Sequence, residues 1–267
     1  MLEFFAKILA PLLEVIFKGL RVIMVEDTGV VSAYAIALIL ATIIFKLLLL
    51  PLMLKQTKSM KEMQELQPKI QELQNKYKND KEKLNMETMK LYQEHKVNPM
   101  GGCLPLLIQM PIIMGFYRLL QTPATYLFKD GSFDFDTINK SFFWIKDIGF
   151  AAGHVFKEGA YAGMVNGINL EFGTALPLVG TSFAIPIMAI LAAIITYYQS
   201  KTMNTSAPAN AQAAQTQKTM TIMMPFMILM IGVSLPEGLS LYWVVGGLFT
   251  IVQNYFVYKP IRKTKEE

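Results

Sequence analysis

The stretch VVSAYAIALILATIIFKLLLLPLM, residues 30–53, decides the class of this protein. Lys46 is its one charged side chain, and a helix that crosses a bilayer core needs about 20 largely apolar residues. The stretch is therefore predicted to cross a membrane. The composition agrees, because 53% of the 267 residues are hydrophobic and 17% are charged, against about 25% charged in soluble domains. This apolar content excludes a disordered chain, and the single cysteine excludes a disulfide scaffold.

Four further stretches have the length and apolar content of membrane spans. They cover residues 103–122, 175–200, 219–235 and 239–258. The last two are separated only by Pro236, Glu237 and Gly238, and such a turn makes the flanking helices antiparallel. The sequence thus predicts an all-α polytopic membrane protein whose five-span core covers residues 30–258.

The positions of Lys and Arg predict the orientation of the spans, because these residues are enriched in the connections on the inner side. If the N-terminus lies outside, the inner connections and the C-terminal tail hold 16 Lys and Arg residues and the outer segments hold 7. We therefore expect the N-terminus outside and the C-terminus in the cytoplasm.

Residues 1–26 have their charges on one helical face and apolar side chains on the other, which is typical of a helix lying in the membrane interface. A helix on the protein surface is the alternative. Residues 55–96 are rich in Lys and have an apolar repeat of three to four that breaks at Asn79 and Asp80, which predicts a cytoplasmic helical hairpin. The segment Asn98–Gly102 is expected to stop its second helix.

The remaining segments connect the spans or follow them. Residues 123–174 are predicted to form an external loop in which Trp144 anchors at the interface and the Gly/Ala-rich part, 151–173, is a loose loop or short helix. Residues 201–218 are predicted to be a flexible cytoplasmic linker, and residues 259–267 a basic cytoplasmic tail.

Lys46 is the candidate functional residue, because a Lys at this depth in a membrane needs water or a polar partner. The five predicted spans contain no Asp or Glu that could pair with it. A wet cationic cavity, suited to an incoming carboxylate, is one interpretation, and extension of the side chain to the headgroups is the alternative. The polar span residues that a bundle could gather around Lys46 are Thr42, Gln109, Tyr197, Tyr198, Gln199, Tyr242, Trp243 and Gln253.

Motifs of catalysis are not found in the sequence. There is no HExxH, GxSxG or P-loop pattern, and the two histidines, His95 and His154, lie in connections. Cys103 has no cysteine partner. We therefore expect neither enzymatic activity nor a metal site or cofactor.

Several motifs resemble those of the YidC/Oxa/Alb membrane-protein insertases. They are KLLLLPL (46–52), QTKSMKEMQELQPK (56–69), NPMGGCLPLLIQMP (98–111), FWIKDI (143–148) and PEGLSLYW (236–243), together with Gln253. The resemblance covers the five spans and the hairpin. The family most often has Arg where this chain has Lys46, so the positive charge is kept without the planar guanidinium.

The resemblance implies a bacterial cell-membrane insertase and chaperone that works without a nucleotide. Its five spans would enclose a hydrophilic groove, open to the cytoplasm and to lipid and closed on the outside. Its substrates would be nascent membrane proteins, and the hairpin and basic tail would meet the ribosome or the Sec translocon. A small-molecule or ion transporter is the alternative function, and an assembly factor that only packs against other membrane proteins is a second alternative.

Overall fold

A computed structural model of the chain describes residues 2–24, 30–95, 97, 104–131, 133–135, 137–152, 154, 157, 166–170, 183–203 and 211–263. Within these ranges the chain forms nine helices and one two-stranded antiparallel sheet. The helices are α1 (Leu2–Ile23), α2 (Ala33–Glu65), α3 (Gln67–Lys76), α4 (Lys81–Glu94), α5 (Leu104–Gln121), α6 (Pro123–Tyr126), α7 (Ile187–Met203), α8 (Ala211–Ser234) and α9 (Glu237–Lys263). The strands are β1 (Ile168–Leu170) and β2 (Phe183–Ile185).

The long helices form one bundle. Helix α1 packs on α5 and α2, α2 packs on α9, and α7 packs on both α8 and α9. Glycines allow three of these contacts to be close: a Cβ added to Gly115 would lie 2.7 Å from Phe5, one on Gly232 2.8 Å from Ala189, and one on Gly247 2.5 Å from Ile195. Small residues at such contacts are typical of helices that pack within membranes.

One helix of the described residues clearly has the length and apolar content of a membrane span. It begins at Ala33 and continues through α2 into the hairpin, and its most apolar 18-residue window has a mean hydropathy of 2.6. A shorter apolar stretch lies at Thr221–Ser234 in α8.

The hairpin follows directly from α2. Helices α3 and α4 pack on each other around Leu66, Ile70 and Val97, and the predicted break between them at residues 79–80 is confirmed. Asp80 caps α4, since its Oδ1 accepts a hydrogen bond of 2.9 Å from the backbone N–H of Lys83.

Two predicted segments are wrong in part. The stretch 175–200 is not helical at Phe183–Ile185, because this segment pairs as β2 with β1, and α7 begins only after Pro186. The linker 201–218 is helical at both ends, since α7 continues to Met203 and α8 begins at Ala211. The sequence from 211 is rich in Ala and Gln, which favour helix over coil. Helix α9 continues past residue 258 into the predicted tail.

The external loop is anchored rather than loose where it is described. The buried Asn166 accepts hydrogen bonds from the backbone N–H groups of Lys146 and Asp147 and donates to the carbonyls of Asp147, Phe150 and Ala151, at 3.0–3.2 Å. Beside it, Lys140 and Asp147 form an ion pair of 3.2 Å whose side chains are about one tenth exposed. The loop is thereby fixed over the helix ends.

The same loop contacts the turn that joins α8 to α9. The backbone N–H groups of Glu237 and Gly238 donate to the carbonyls of Phe150 and Ile148 at 2.9 and 2.7 Å. Trp144 is half-buried against the core.

Some predictions lie outside the described residues. They concern the helix stop at 98–102, Cys103, residues 158–165 of the Gly/Ala-rich part, the middle of the linker (204–210) and the end of the tail (264–267).

Candidate functional site

Lys46 lies inside the bundle, where α2, α5 and α9 meet. Its side chain is buried, and only 7% of the residue is exposed. The Nζ atom donates to Oε1 of Gln109 on α5 over 3.4 Å, and Nε2 of Gln109 donates to the hydroxyl of Tyr242 on α9. The ring of Tyr242 packs against the ring of Phe116, and the two ring centroids are 4.5 Å apart. The three helices thus share one polar chain of Lys46, Gln109 and Tyr242.

Gly246 makes room for the side chain of Lys46. It lies one helical turn after Tyr242 on α9, and a Cβ placed on it would be 3.0 Å from Cε and 3.6 Å from Nζ of Lys46. The lysine stem therefore passes directly over the backbone of α9. A larger residue at this position would push the ammonium group away from its present place.

The positive charge of Lys46 has a neutral partner. Among the ion pairs of the described residues, none includes this lysine. An ammonium group has three hydrogens to donate, and an ion that is buried without a counter-ion is costly. The site can therefore gain free energy by taking up water or a negatively charged group such as a carboxylate.

A second polar cluster lies farther along the same helices, toward the hairpin. It consists of Gln56 and Thr57 on α2 and Gln253 and Asn254 on α9, all buried. We call these four residues the lower polar cluster. Nε2 of Gln253 donates to Oγ1 of Thr57 at 3.4 Å, and Thr57 donates to the carbonyl of Met53 at 2.9 Å.

Several amide atoms of the lower polar cluster have no hydrogen-bond partner among the described residues. They are Nε2 of Gln56, Oε1 of Gln253 and both side-chain polar atoms of Asn254. Thr57 follows Lys46 by 11 residues, about 16 Å along an α-helix. Buried amide atoms of this kind are normally satisfied by water. Buried polar side chains therefore lie at the interface of α2 and α9 both at Lys46 and nearer the hairpin, in the lower polar cluster.

The other predicted site residues occupy different places. Thr42 is fully buried one turn before Lys46, and its hydroxyl donates to the carbonyl of Leu38 at 2.7 Å. Trp243 is half-buried against the core. On α7, Tyr197 and Tyr198 are 41% and 56% exposed, whereas Gln199 lies near Gly247 on the α7 side of α9.

The structure thus brings together Lys46, Gln109 and Tyr242, with Gln253 nearer the hairpin. Sequence reasoning missed Gln56, Thr57 and Asn254, because the first two fall in the charged segment assigned to the hairpin. The sequence of α9 does contain a pattern that could have indicated this face of the helix. Small or polar residues recur there every three or four positions, at Tyr242, Gly246, Thr250 and Gln253.

Comparison with known proteins identifies the family. The sequence model of a family described as 60Kd inner membrane protein matches residues 26–265. The chain belongs to this family. Membership makes the chain a membrane protein, and the relatives described next confirm the resemblance to the YidC insertases.

Three relatives of the chain are named as membrane protein insertases. It is 36% identical over 240 residues to "Membrane protein insertase YidC 1" of Listeria monocytogenes, an alignment that covers 88% of this chain and 68% of the relative. It is 36% identical over 267 residues to "Membrane protein insertase YidC" of Clostridium perfringens, with 98% and 94% covered. For "Membrane protein insertase MisCA" of Bacillus subtilis the identity is 37% over 239 residues, with 87% and 74% covered.

Proposed function

We propose that this protein is a membrane protein insertase that accepts polar parts of its substrates in a groove between α2, α5 and α9. The groove is defined by Lys46, Gln109, Tyr242 and Gln253. The observation that carries the proposal is the buried position of Lys46, which takes part in none of the ion pairs of the described residues, in a chain whose relatives are membrane protein insertases. The substrates would be nascent membrane proteins.

The proposed topology has five spans, α2, α5, α7, α8 and α9, with the N-terminus outside and the C-terminus in the bacterial cytoplasm. The loop of Lys140–Phe150 and Asn166 would then cover the outer ends of the helices, and the lower polar cluster would face the cytoplasm. Such a groove would be closed outside and open inside. The charge distribution of the sequence supports this orientation.

The mechanism proposed here lowers the cost of moving polar groups across lipid. A polar tail that enters a wet groove from the cytoplasm keeps hydrogen-bond partners and crosses a thinner layer of hydrocarbon. Lys46 would attract acidic residues of the tail while it passes. The apolar span of the substrate would then move sideways into lipid, which is favourable because its own apolar surface becomes buried there.

The hairpin of α3 and α4 and the basic tail are proposed to receive the substrate from the ribosome or the Sec translocon. Exposed lysines on the hairpin give it the positive charge that suits an RNA surface. We predict that deleting residues 60–94 leaves the bundle folded and impairs delivery. Loss of the folded bundle in that variant would mean that the hairpin belongs to the core.

Reconstitution tests the proposed activity. The purified chain is placed in vesicles of defined lipids, and a single-span substrate with a short N-terminal tail is synthesised in their presence. An insertase should make the tail resistant to added protease, and vesicles without the chain should not. Equal protection in both kinds of vesicle would contradict the proposed function.

A further inference from the structure

Helix α1 has three different faces. One face packs into the core, and a second face is apolar but exposed. The buried residues are Ala6, Leu9, Ala10, Leu13 and Phe17, and the exposed apolar residues are Phe4, Ile8, Val15, Val22 and Ile23. At 3.6 residues per turn, the charged residues form an edge between these two faces. A helix at an interface needs this arrangement, with protein on one side, lipid on the other and water along one edge.

The charged edge of α1 faces a cavity of about 340 Å³ that is open to the surface of the protein. The cavity lies between α1 and the end of α6 with the residues that follow it. Its lining residues are Lys7, Ala10, Pro11, Glu14, Tyr126, Lys129 and Asp130.

The walls of the cavity are held in place. Lys18 bridges the two acids, since its Nζ lies 2.7 Å from Oε1 of Glu14 and 2.6 Å from Oδ2 of Asp130. The backbone N–H of Phe128 donates to the other oxygen of Glu14 at 3.3 Å, and the Phe128 ring packs 5.2 Å from that of Phe17. The hydrogen bonds to both acids raise the pKa of Lys18, which therefore stays charged. The cavity is preformed.

The charges around the cavity leave it with a positive excess. Lys18 lies between Glu14 and Asp130, so that with Lys7 and Lys129 three lysines stand against two acids and the excess is one positive charge. Lys7 is only weakly engaged, since its nearest acid is Glu3 at 3.9 Å and its side chain is 65% exposed. Lys129 takes part in none of the ion pairs of the described residues. The pair Lys7 and Lys129 thus suits an anion.

We propose that this cavity binds the headgroup of phosphatidylglycerol from the outer leaflet, with the phosphodiester between Lys7 and Lys129. The exposed apolar face supplies the other half of the site, because Pro11 in the cavity wall adjoins Phe4, Ile8 and Val15 around the helix. The acyl chains lie along these three residues. This inference rests on the proposed placement of α1 at the outer interface.

Lipid binding is measured by native mass spectrometry of the full chain in a neutral detergent. Dioleoyl phosphatidylglycerol and dioleoyl phosphatidylcholine are added separately. The wild type should retain more phosphatidylglycerol, and Lys7→Gln or Lys129→Gln should each weaken its first adduct about fivefold, as expected for one exposed charge contact. Lys7→Arg and Lys129→Arg should restore it. Lys157→Gln, an exposed external lysine outside the cavity, is the matched control and should change nothing.

Three results would overturn the lipid site. They are equal retention of the two lipids by the wild type, unchanged adducts in the Lys→Gln variants, and displacement of phosphatidylglycerol by excess inorganic phosphate, which would indicate a site for free anions. Circular dichroism shows whether each variant is folded. The assay needs no insertion activity, so failure of the lipid site and failure of the proposed function are read separately.

Discussion

Gly246→Ala tests whether the stem of Lys46 packs on α9. The added methyl group would lie 3.0 Å from Cε of Lys46, so the lysine must move by a few tenths of an ångström. Crowding of this kind lowers the free energy of unfolding by about 1–3 kcal/mol. Replacing Gly by Ala in a helix raises it by about 1 kcal/mol. We expect a net loss of about 0–2 kcal/mol in the free energy of unfolding.

The informative quantity is the coupling between Gly246 and Lys46. In a Lys46→Ala background the methyl group meets no lysine stem, so Gly246→Ala should be neutral or stabilising there. The double-mutant cycle should give a coupling of about 1–3 kcal/mol, since the helix-propensity gain cancels and only the crowding remains. Unfolding is followed by far-UV circular dichroism while the denaturing detergent is increased in mixed micelles.

Gly247→Ala is the matched control on the next residue of α9. Its methyl group would lie 2.5 Å from Cγ2 of Ile195 on α7, so it should destabilise the α7–α9 contact whether or not Lys46 is present. A coupling between Gly246 and Lys46 below about 0.3 kcal/mol, no larger than that of Gly247, would refute the packing of Lys46 over α9.

The remaining predictions concern the external loop and the topology. Asn166→Ala should lower the free energy of unfolding by about 2–4 kcal/mol and speed protease cleavage of the loop, because it leaves several buried backbone groups without partners; unchanged cleavage would contradict this. Asp147→Asn should cost about 3 kcal/mol in the same unfolding assay by leaving Lys140 buried without its counter-ion, and an equally stable variant would show that the pair is solvated. Single cysteines should be labelled only from the cytoplasm at position 80 and only from outside at position 134, and the reverse pattern would overturn the orientation.

Much of the helical architecture could be predicted from apolar length alone. The stretches 103–122 and 239–258 agree with α5 and α9 to within a few residues at their starts, because an uninterrupted apolar run with a Pro or Gly boundary leaves few alternatives. The break before Asp80 was predictable for a local reason, since Asp is a strong helix cap.

The start of α7 could not be predicted in this way. Residues 183–185 are as apolar as the helix that follows, and only their pairing with Ile168–Leu170 makes them a strand. That partner lies 13–17 residues earlier in the chain, and apolar content does not distinguish a short apolar strand from a helix.

The candidate site was predictable in its charge but not in its partners. Lys46 is conspicuous in an apolar stretch, whereas its contact with Gln109 depends on how α2 and α5 pack. Tyr197 and Tyr198 were selected by residue type, and the structure places them on the exposed side of α7. Gln56 was missed because it lies in the charged segment 55–96, where a side chain is expected to be exposed, whereas the structure buries it.

The measurement that tests the central claim most directly is insertion by reconstituted Lys46 variants. Two versions of one single-span substrate are compared, one with an acidic tail and one in which the acids are replaced by Asn and Gln. Lys46→Met keeps most of the side-chain volume and removes the charge, and Lys46→Arg keeps the charge. All variants are matched for folding and for amount in the vesicles.

If Lys46 attracts acidic residues, Lys46→Met should reduce insertion of the acidic-tailed substrate about tenfold, which corresponds to the loss of about 1.4 kcal/mol of interaction free energy. Insertion of the neutral-tailed substrate should change little. Lys46→Arg should insert both substrates like the wild type. Equal losses with both tails would mean that the lysine only keeps the groove wet. Undiminished insertion of the acidic-tailed substrate by Lys46→Met would contradict the account.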